Sequence, residues 1–425
     1  MPNKSFARGW SMVFHSFITY LIYGLWASVA MNIFVPIFVV RYGWDRTLLM
    51  TLISVAGILG VIGALVFAQF TTRKGTRIVL AVSFVLGGLN VIWFGYAGTL
   101  VVFFINVVLL YSIGQGYCNV PTNALIANWF PTRKGVILGL ATIGLPMSSV
   151  ICMPILASLV NNYQLGGAFW VIGCFMIVIG IATWFWIVDT PEQVGLAPDN
   201  KPAEAEEIAR IREFQKNYKS QWTLKKMLRD RNSLLIAFGF GLLFLITQGW
   251  LGQWVPYMME NGYDQPTALR LLQLQGGVGV IGSFLWGVFD QKVSTKLASI
   301  VYGLWYAVAF IILALKPTGA LMIFVVCMFG FAVGGIGNLF PSIIAGIYGR
   351  YEFASVSRLI NPIITVVRSL AFAVVGISAS ALGSVSKTGF VLMAISLVAT
   401  ILVVFIKMKV PDAPEAQEAA AAVEE

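Results

Sequence analysis

The sequence predicts an all-α integral membrane protein whose twelve transmembrane helices form two six-helix halves related by pseudo-symmetry. Three observations lead to this fold class. The 425-residue chain is 58% hydrophobic and only 11% charged, whereas about a quarter of the residues in a soluble domain are charged. Apolar stretches of roughly 20 residues or more recur along its whole length, and several motifs repeat at a constant offset of 219 positions.

The apolar stretches are predicted to be helices. Each can cross a hydrocarbon core about 30 Å thick, and a backbone in lipid must satisfy its hydrogen bonds within the segment. The stretches are too long and too uniformly apolar for barrel strands. The expected helices, numbered 1 to 12, span 11–40, 46–71, 78–98, 100–128, 134–160, 168–188, 233–259, 265–289, 297–315, 318–348, 354–382 and 387–408. The first run is much longer than a signal-peptide core, so we expect it to be retained.

The offset of 219 residues identifies an internal repeat. The aligned pairs are 57–63 with 276–282, 43–45 with 262–264, Gly116 and Asn119 with Gly335 and Asn338, and Arg73 and Arg77 with Lys292 and Lys296. Six helices per half preserve orientation, so the halves are parallel repeats about an axis normal to the membrane. The expected organisation is an N-terminal half (1–188), a cytoplasmic linker (189–232), a C-terminal half (233–409) and a cytoplasmic tail (410–425).

A ladder of glycines marks helices 2 and 8 of this repeat. The ladder comprises Gly57, Gly60 and Gly63 in helix 2 and Gly276, Gly279 and Gly282 in helix 8. Small residues on one helix face allow two backbones to approach closely. Two interpretations are open, namely close packing at a moving interface between the halves and static close packing.

The distribution of basic residues predicts the orientation. With the N-terminus inside, 22 of the 28 Lys and Arg residues fall on the cytoplasmic side and four on the other side. The positive-inside rule therefore places both termini in the cytoplasm. The expected location is the cell (inner or plasma) membrane. The net charge of +10 reflects topology, so no nucleic-acid partner is expected.

Several short motifs resemble those of a known superfamily. The loop TRKGTR at 72–77 is similar to the major facilitator motif DRxGRR, with Thr72 in place of the usual aspartate, and the counterpart after helix 8 keeps Asp290 but lacks the glycine. The segments WFPTRKG at 129–135 and DTPEQVGL at 189–196 resemble segments of the oxalate/formate antiporter and monocarboxylate porter groups. The resemblance to a major facilitator superfamily transporter implies a substrate site between the halves, near the bilayer midplane.

One ionisable residue lies deep in the predicted membrane. Arg368 falls at the middle of helix 11, aligns with Ser149 in the repeat, and has no acidic residue at a comparable depth. Ionisable residues within membrane helices often mark substrate or ion pathways. A guanidinium can bind a carboxylate through two hydrogen bonds, so Arg368 is the candidate ligand of an anionic substrate. The structural alternative is an arginine bonded to backbone carbonyls of a broken helix.

Polar residues at helical spacing extend this candidate substrate site. Asn361, Thr365 and Arg368 share one face of helix 11. Helix 4 carries a polar stripe, and the resemblance implies that helices 1, 7 and 10 also line the cavity. The further candidates are Gln115, Asn119, Tyr20, Tyr23, Gln248, Trp250 and Asn338, and the stripe also includes Tyr111 and Asn123. Structural pairing between helices is an alternative role for Asn119 and Asn338, which share a repeat position.

A second group of residues is predicted to act in gating and in the loop motifs. The group comprises Arg73, Gly75, Arg77, Asp290 and Arg270. Arg270, about two turns into helix 8, either reaches the cavity mouth or snorkels to the headgroups. Asp45 and Asp264 precede helices 2 and 8, where an acid caps a helix N-terminus.

These features predict a secondary active transporter of a small, monocarboxylate-like organic anion that works by alternating access. The resembled antiporters carry a second cation on helix 8, and its absence from 281–287 favours a singly charged anion. The sequence contains no nucleotide-binding loop, no nucleophile–base arrangement and no metal-ligand spacing of its four cysteines. Neither enzyme activity nor a cofactor is therefore expected. The expected partners are the anion, the lipid bilayer, and a proton or counter-anion that drives symport or antiport, and we expect a monomer.

Two other functions are open. The 13 tryptophans and 30 phenylalanines suit an exporter of hydrophobic or aromatic molecules, although the Gly-Pro motif usual in helix 5 of drug exporters is interrupted by Leu145. A sensor or scaffold of the same fold would bind the anion without accumulating it. His15, the one histidine of the sequence, is a candidate proton carrier because imidazole titrates near neutral pH.

Overall fold

The fold is an all-α bundle in two six-helix halves. The computed structural model describes residues 3–131, 133–202, 213, 218 and 220–408. The predicted tail at 410–425 and most of the linker between 203 and 219 lie outside the described residues. Within the described part, nine segments are each long and apolar enough to cross a membrane, and one of them, Val136–Trp186, contains two helices.

Helices 1 to 6 form the N-terminal half. Their bounds are Asn3–Gly24 and Met31–Tyr42 (helix 1), Arg46–Lys74 (helix 2), Thr76–Phe94 (helix 3), Leu100–Tyr117 and Asn119–Trp129 (helix 4), Lys134–Thr142 and Gly144–Met147 (helix 5), and Met153–Trp186 (the end of helix 5 and helix 6). Gln164 separates helices 5 and 6 because its backbone (φ 60°, ψ 179°) is not helical. Two π-helical turns, Leu25–Val29 and Ser148–Cys152, interrupt helices 1 and 5.

Helices 7 to 12 form the C-terminal half. Their bounds are Arg231–Glu260 (helix 7), Gln265–Lys292 (helix 8), Thr295–Ala314 (helix 9), Gly319–Val333 (start of helix 10), Ile336–Ser369 (end of helix 10 and start of helix 11), Ala371–Leu382 (end of helix 11) and Thr388–Val404 (helix 12). Gly349 separates helices 10 and 11 through its positive φ of 72°. This half thus repeats the order of the first.

The predicted helices agree with the structure except at some ends. Helix 1 begins at Asn3 rather than residue 11, and helix 12 ends at Val404 rather than residue 408. A helical turn outside the hydrocarbon core has no need to be apolar, so hydrophobicity does not mark where such a helix begins. The linker also contains a small hairpin, Leu196–Ala197 paired with Lys201–Pro202, which the sequence analysis does not predict.

The linker is attached to both halves by buried or half-buried carboxylates. The Asp189 carboxylate accepts a 2.7 Å hydrogen bond from the backbone N–H of Arg77 at the start of helix 3. The Glu352 carboxylate, at the start of helix 11, accepts a 2.6 Å hydrogen bond from the hydroxyl of Tyr218. The beginning of the linker is therefore fixed to the N-terminal half and its end to the C-terminal half.

The most extensive contacts between the halves are those of helix 2 with helix 11 and of helix 5 with helix 8, and helices 4 and 5 also contact the run Ile336–Ser369. The first glycine of each ladder lies at this contact. A Cβ atom on Gly57 would lie 3.0 Å from the Ser369 Oγ of helix 11, and one on Gly276 would lie 2.8 Å from the Pro146 carbonyl oxygen of helix 5. The repeat therefore provides two equivalent close contacts between the halves.

The last glycine of each ladder faces its own half. A Cβ atom on Gly63 would lie 2.5 Å from the Ser112 Cα of helix 4, and one on Gly282 would lie 2.2 Å from the Phe331 carbonyl oxygen of helix 10. The ladder thus makes two kinds of close contact, at different positions. The first glycine packs between the halves, and the last packs within one half.

We predict that Gly63→Ala destabilises the protein by about 1–3 kcal/mol, because the added methyl group overlaps backbone atoms that cannot rotate away. Gly57→Ala is the matched control, since the nearest atom is a side-chain hydroxyl that can change rotamer. Thermal unfolding in detergent, followed by dye binding to the cysteines, should give a lower midpoint for Gly63→Ala than for Gly57→Ala. Equal midpoints would contradict the assignment of Gly63 to a static contact.

Candidate functional site

Arg368 lies between the halves, about midway along helix 11. Its side chain is 9% exposed. The guanidinium Nη2 donates a 2.8 Å hydrogen bond to the hydroxyl of Tyr23 on helix 1, so this bond connects the two halves. Among the described residues, no acidic side chain forms an ion pair with Arg368.

The backbone around Arg368 helps to stabilise its charge. The helical run Ile336–Ser369 ends one residue after Arg368, and the next helix begins at Ala371. The carbonyl groups in the last turn of a helix carry a partial negative charge, which stabilises a cation. The interruption is confined to Leu370, whose dihedral angles (φ −69°, ψ −9°) stay in the helical region, and the hydrogen bond of the guanidinium goes to Tyr23.

A small cavity borders the Arg368 guanidinium. Its lining comes from four helices in both halves, namely Ile53, Ser54 and Gly57 (helix 2), Tyr111 (helix 4), Gln248 (helix 7), and Arg368, Ser369 and Phe372 (helix 11). The lining combines polar side chains with the apolar surfaces of Ile53 and Phe372, and such a combination occurs in small-molecule sites. Arg368 and Gln248 are predicted site residues. Ser54, Ser369 and Phe372 are not, because single serines and phenylalanines in apolar helices form no distinctive pattern.

The other predicted residues of helices 11 and 4 are buried. Asn361 and Thr365 are 5% and 4% exposed, and the Thr365 hydroxyl donates to the Asn361 carbonyl within helix 11. Gln115 is also buried, one turn along helix 4 from the cavity residue Tyr111. Asn119 begins the second part of helix 4, but its side chain lies outside what the structure describes.

Helix 1 presents two tyrosines near the bend in its backbone. Tyr23 is bonded to Arg368, and the hydroxyl of Tyr20 donates to the Oδ1 of Asn123 on helix 4. The π-helical turn Leu25–Val29 follows directly and packs against the π-helical turn of helix 5. Single π-helical turns occur often at functional sites. The π-helical turn of helix 1 therefore lies at the candidate site.

The structure differs from the prediction for Trp250. Its ring packs inside the C-terminal half, stacked on Phe329 with centroids 4.5 Å apart and at 5.5 Å from Phe310. Gln248, two residues earlier, reaches the cavity instead. The sequence could not give the rotation of helix 7, because this helix is apolar on most of its surface.

Asn338 lies in a contact between helices. Its Nδ2 donates a 3.1 Å hydrogen bond to the Ser283 carbonyl of helix 8. A Cβ atom on Gly139 of helix 5 would lie 3.3 Å from the same nitrogen. These contacts correspond to the structural alternative for Asn338, in which it holds helices together.

The halves contact each other on both sides of Arg368. Towards the linker, Ala124 and Ala127 of helix 4 belong to the hydrophobic core of the C-terminal half. In the opposite direction, Leu269 and Phe372 pack against the core of the N-terminal half. The described contacts therefore enclose the candidate site between two layers of packed residues.

The loop motifs lie at the end of the bundle that carries the linker. Gly75 has a φ of 85°, and a Cβ atom there would lie 2.5 Å from the Asp189 Oδ2. Arg77 lies over the Trp184 ring at 5.2 Å, and Arg73 is exposed. Asp189 of the DTPEQVGL segment thus provides a carboxylate at the start of helix 3, next to a loop in which Thr72 replaces the usual aspartate of the motif.

The second loop motif joins helices 8 and 10. The Ser342 hydroxyl of helix 10 donates to the buried carboxylate of Asp290, near the end of helix 8. The backbone N–H of Val136 on helix 5 donates a 3.4 Å hydrogen bond to the Gln291 side chain. The loop after helix 8 therefore contacts the other half directly.

The remaining predicted residues lie away from the cavity. Arg270 is exposed on helix 8, as expected for a snorkelling side chain. Asp45 caps helix 2, since its Oδ1 accepts a 2.7 Å hydrogen bond from the Leu48 N–H. Asp264 is the N-cap residue of helix 8, and a hydrogen bond from Thr267 lowers the pKa of its carboxyl group.

His15 is buried inside the N-terminal half. Its Nε2 lies 2.8 Å from the Thr183 Oγ1 of helix 6, and its ring packs edge-on against Phe84 and Trp186. These neighbours belong to helices 3 and 6, so the imidazole faces the core of its own half. Among the described residues, no cluster of three or more His, Cys, Asp or Glu side chains could hold a metal ion.

Curated relatives of this chain are named monocarboxylate transporters. Monocarboxylate transporter 12 of Mus musculus is 20% identical over 322 residues, which cover 69% of this chain and 63% of that protein. Monocarboxylate transporter 12-B of Danio rerio is 23% identical over 310 residues, which cover 66% of this chain and 63% of that protein. The chain thus matches slightly less than two thirds of the length of these relatives.

Solved structures of transporters share the fold. The proton:xylose symporter XylE bound to 6-bromo-6-deoxy-D-glucose superposes with a TM-score of 0.71 at 14% identity, covering 97% of this chain and 99% of that one. The human organic anion transporter MFSD10 (TETRAN) gives a TM-score of 0.70 at 12% identity, covering 93% of this chain and 99% of that one. At these identities the likeness shows the fold alone.

The family of the chain follows from its sequence match. The family model of the Major Facilitator Superfamily matches residues 16–372, which include helices 1 to 10 and the cavity residues of helix 11. The fold and the family are those of transporters and not of enzymes. This multi-pass membrane protein belongs to the Major Facilitator Superfamily.

Proposed function

We propose that this protein is a secondary transporter of a small organic anion with one carboxylate, and that Arg368 binds that carboxylate. The observation that carries the proposal is the environment of the guanidinium. It is buried between the halves, borders the cavity, and bonds to a neutral hydroxyl. A guanidinium has five N–H donors, so the bond to Tyr23 leaves others for two parallel hydrogen bonds to a carboxylate.

The groups around the cavity, rather than its small volume in this conformation, favour a substrate with a single charge and a short apolar part. Arg368 is the one cation among the described residues that line it, so a second carboxylate would be desolvated without a cationic partner. Ile53 and Phe372 offer apolar surface beside the guanidinium. The relatives named monocarboxylate transporters and the fold neighbour named an organic anion transporter are consistent with this substrate class.

The alternative of an aromatic exporter receives less support. The residues that suggested it, exemplified by Trp250 and Phe329, pack together inside one half. The large rings of the N-terminal half, such as Phe34 and Phe94 with centroids 5.2 Å apart, also form a core cluster. These aromatic side chains thus pack within the cores of the two halves.

We infer that transport proceeds by rocking of the halves 1–188 and 233–409 about the site, joined by the linker 189–232. Each end of the linker is fixed to one half, so the halves can move as units. A bound carboxylate neutralises Arg368. It thereby lowers the free-energy cost of the charge while the site changes from facing one side of the membrane to facing the other. This requirement favours anion exchange, or symport of the anion with a proton.

The basic linker end of the bundle is proposed to face the cytoplasm, with both termini and the tail 410–425 on that side. The excess of Lys and Arg in those loops supports this orientation. The proposed location is the cell membrane, and the proposed functional unit is a monomer, because each chain contains a whole site between its own halves.

Arg368→Gln should reduce carboxylate uptake at least about 100-fold, because two hydrogen bonds to a charged group contribute about 3 kcal/mol and each 1.4 kcal/mol changes affinity about tenfold. The measurement is uptake of labelled monocarboxylates and dicarboxylates into proteoliposomes, with and without internal counter-substrate. Arg270→Gln is the matched control, because it removes an exposed arginine. Full uptake by Arg368→Gln, or transport of no carboxylate by the native protein, would refute the proposal.

Tyr23→Phe should raise the KM for the anion about tenfold or more, with a smaller effect on the maximal rate. The reason is that the hydroxyl orients the Arg368 guanidinium, and a hydrogen bond to a charged group contributes about 1.5–3 kcal/mol. Tyr117→Phe is the control, since the Tyr117 ring packs edge-on against Tyr23 with centroids 6.4 Å apart but lies one residue layer away from Arg368. An unchanged KM for Tyr23→Phe would mean that this hydroxyl does not act on the bound anion.

His15→Gln should leave the pH dependence of uptake unchanged, because the imidazole contacts Thr183, Phe84 and Trp186 within its own half. Uptake at about pH 5.5 and about pH 7.5, on either side of the usual imidazole pKa, tests this in the native protein and the variant. A loss of proton dependence in a folded His15→Gln protein would identify His15 as the proton carrier.

A further inference from the structure

A basic groove lies outside the candidate transport site, where the linker enters helix 7. It is lined by Trp222, Thr223, Lys225, Lys226, Arg229 and Asp230. Three of the six side chains are cations. The one acid, Asp230, is directed to the start of helix 7, where its Oδ2 accepts hydrogen bonds of 2.7 and 2.6 Å from the Ser233 N–H and hydroxyl. The groove is therefore strongly positive.

The short helix Leu224–Arg229 presents distinct faces to its surroundings. Met227 is buried in the core of the C-terminal half, which fixes the helix in place. Leu224 and Leu228, four residues apart, are 56% and 50% exposed. Lys225 follows Leu224, and Arg229 follows Leu228. An exposed apolar edge of the helix therefore runs beside a basic edge.

Ring contacts hold two of the side chains that line the groove, Trp222 and Lys226, in place. Trp222 packs edge-on against Tyr348 of helix 10 with centroids 5.0 Å apart. The Lys226 ammonium lies 4.8 Å from the centre of the Trp222 ring, a cation–π contact. One cation is thus positioned before any ligand arrives.

The groove lies at the level of the lipid headgroups. Helix 7 has 30 residues and is therefore about 45 Å long at 1.5 Å per residue, whereas the hydrocarbon core is about 30 Å thick. Its first turns extend beyond the hydrocarbon. Arg231 in the first turn lies over the ring of Phe405, which is itself 55% exposed, as expected at the boundary between headgroups and acyl chains.

We propose that this groove binds an anionic phospholipid. The phosphate and its negative headgroup contact Lys225, Lys226 and Arg229, and the acyl chains lie against Leu224 and Leu228. Charge complementarity selects an anion, and the adjacent exposed leucines select a ligand with apolar chains over a soluble phosphate. Basic clusters beside a membrane helix bind acidic lipids through the same combination of forces.

The proposal can be tested by native mass spectrometry of the full-length protein in detergent. Phosphatidylglycerol and phosphatidylcholine with identical acyl chains would be titrated against the native protein and two variants. The test variant is Lys225→Gln/Lys226→Gln/Arg229→Gln. The control variant, Arg41→Gln/Lys316→Gln/Lys387→Gln, removes the same charge elsewhere.

The native protein and the control should bind a first phosphatidylglycerol at least about tenfold more tightly than phosphatidylcholine, and the test variant should lose this preference. High salt should weaken the binding in the native protein, because it screens exposed charges. The salt titration needs no substitution, so it tests the proposal even if a variant fails to fold. Retention of phosphatidylglycerol by the test variant, equal loss in the control, or equal binding of both lipids would overturn the proposal. Carboxylate uptake in pure phosphatidylcholine vesicles should be the same for both variants, so the outcome is independent of the proposed substrate.

Discussion

The hydrogen bond between Arg368 and Tyr23 connects the two halves at the centre of the bundle. A permanent charge at that depth costs about 2.5–3.5 kcal/mol on insertion scales, and the surrounding structure offsets part of this cost. The helical run that contains Arg368 ends at Ser369, so the last carbonyl groups of that run lie close to its backbone. A phenol from the opposite half supplies a neutral acceptor. Among the described residues, the charge is thus tolerated without an acidic partner.

Close packing around this point depends on very small residues. Gly57 and Gly276 allow helices 2 and 5 to approach their partners in the other half, whereas Gly63 and Gly282 fix helices 2 and 8 within their own halves. Between the halves, Gly57 lies against a serine side chain, whereas Gly276 lies against both a serine side chain and a backbone carbonyl group. Within each half, Gly63 and Gly282 lie against backbone atoms, which cannot rotate away.

The two halves share a repeat but differ around the site. Arg368 in the C-terminal half corresponds to Ser149 in the N-terminal half, whose hydroxyl bonds to the Pro146 carbonyl of its own helix. The N-terminal half contributes tyrosine hydroxyls and a bent helix 1, while helix 7 continues without a π-helical turn. The cation therefore comes from one half and its neutral partner from the other.

The sequence by itself determined the fold class, the repeat, and the presence of a charge that requires explanation. Apolar length and the absence of acids at depth are properties of the chain, because a bilayer has a fixed thickness and a charge within it has a large cost. The tertiary structure alone decided which side of each apolar helix faces the cavity. For helix 7 this rotation selects Gln248 over Trp250, and for helix 10 it assigns Asn338 to a contact between helices. When a helix is apolar all round, its rotation about its own axis is set by the shapes of the neighbouring helices. The hydrophobic pattern of that helix alone does not indicate those shapes.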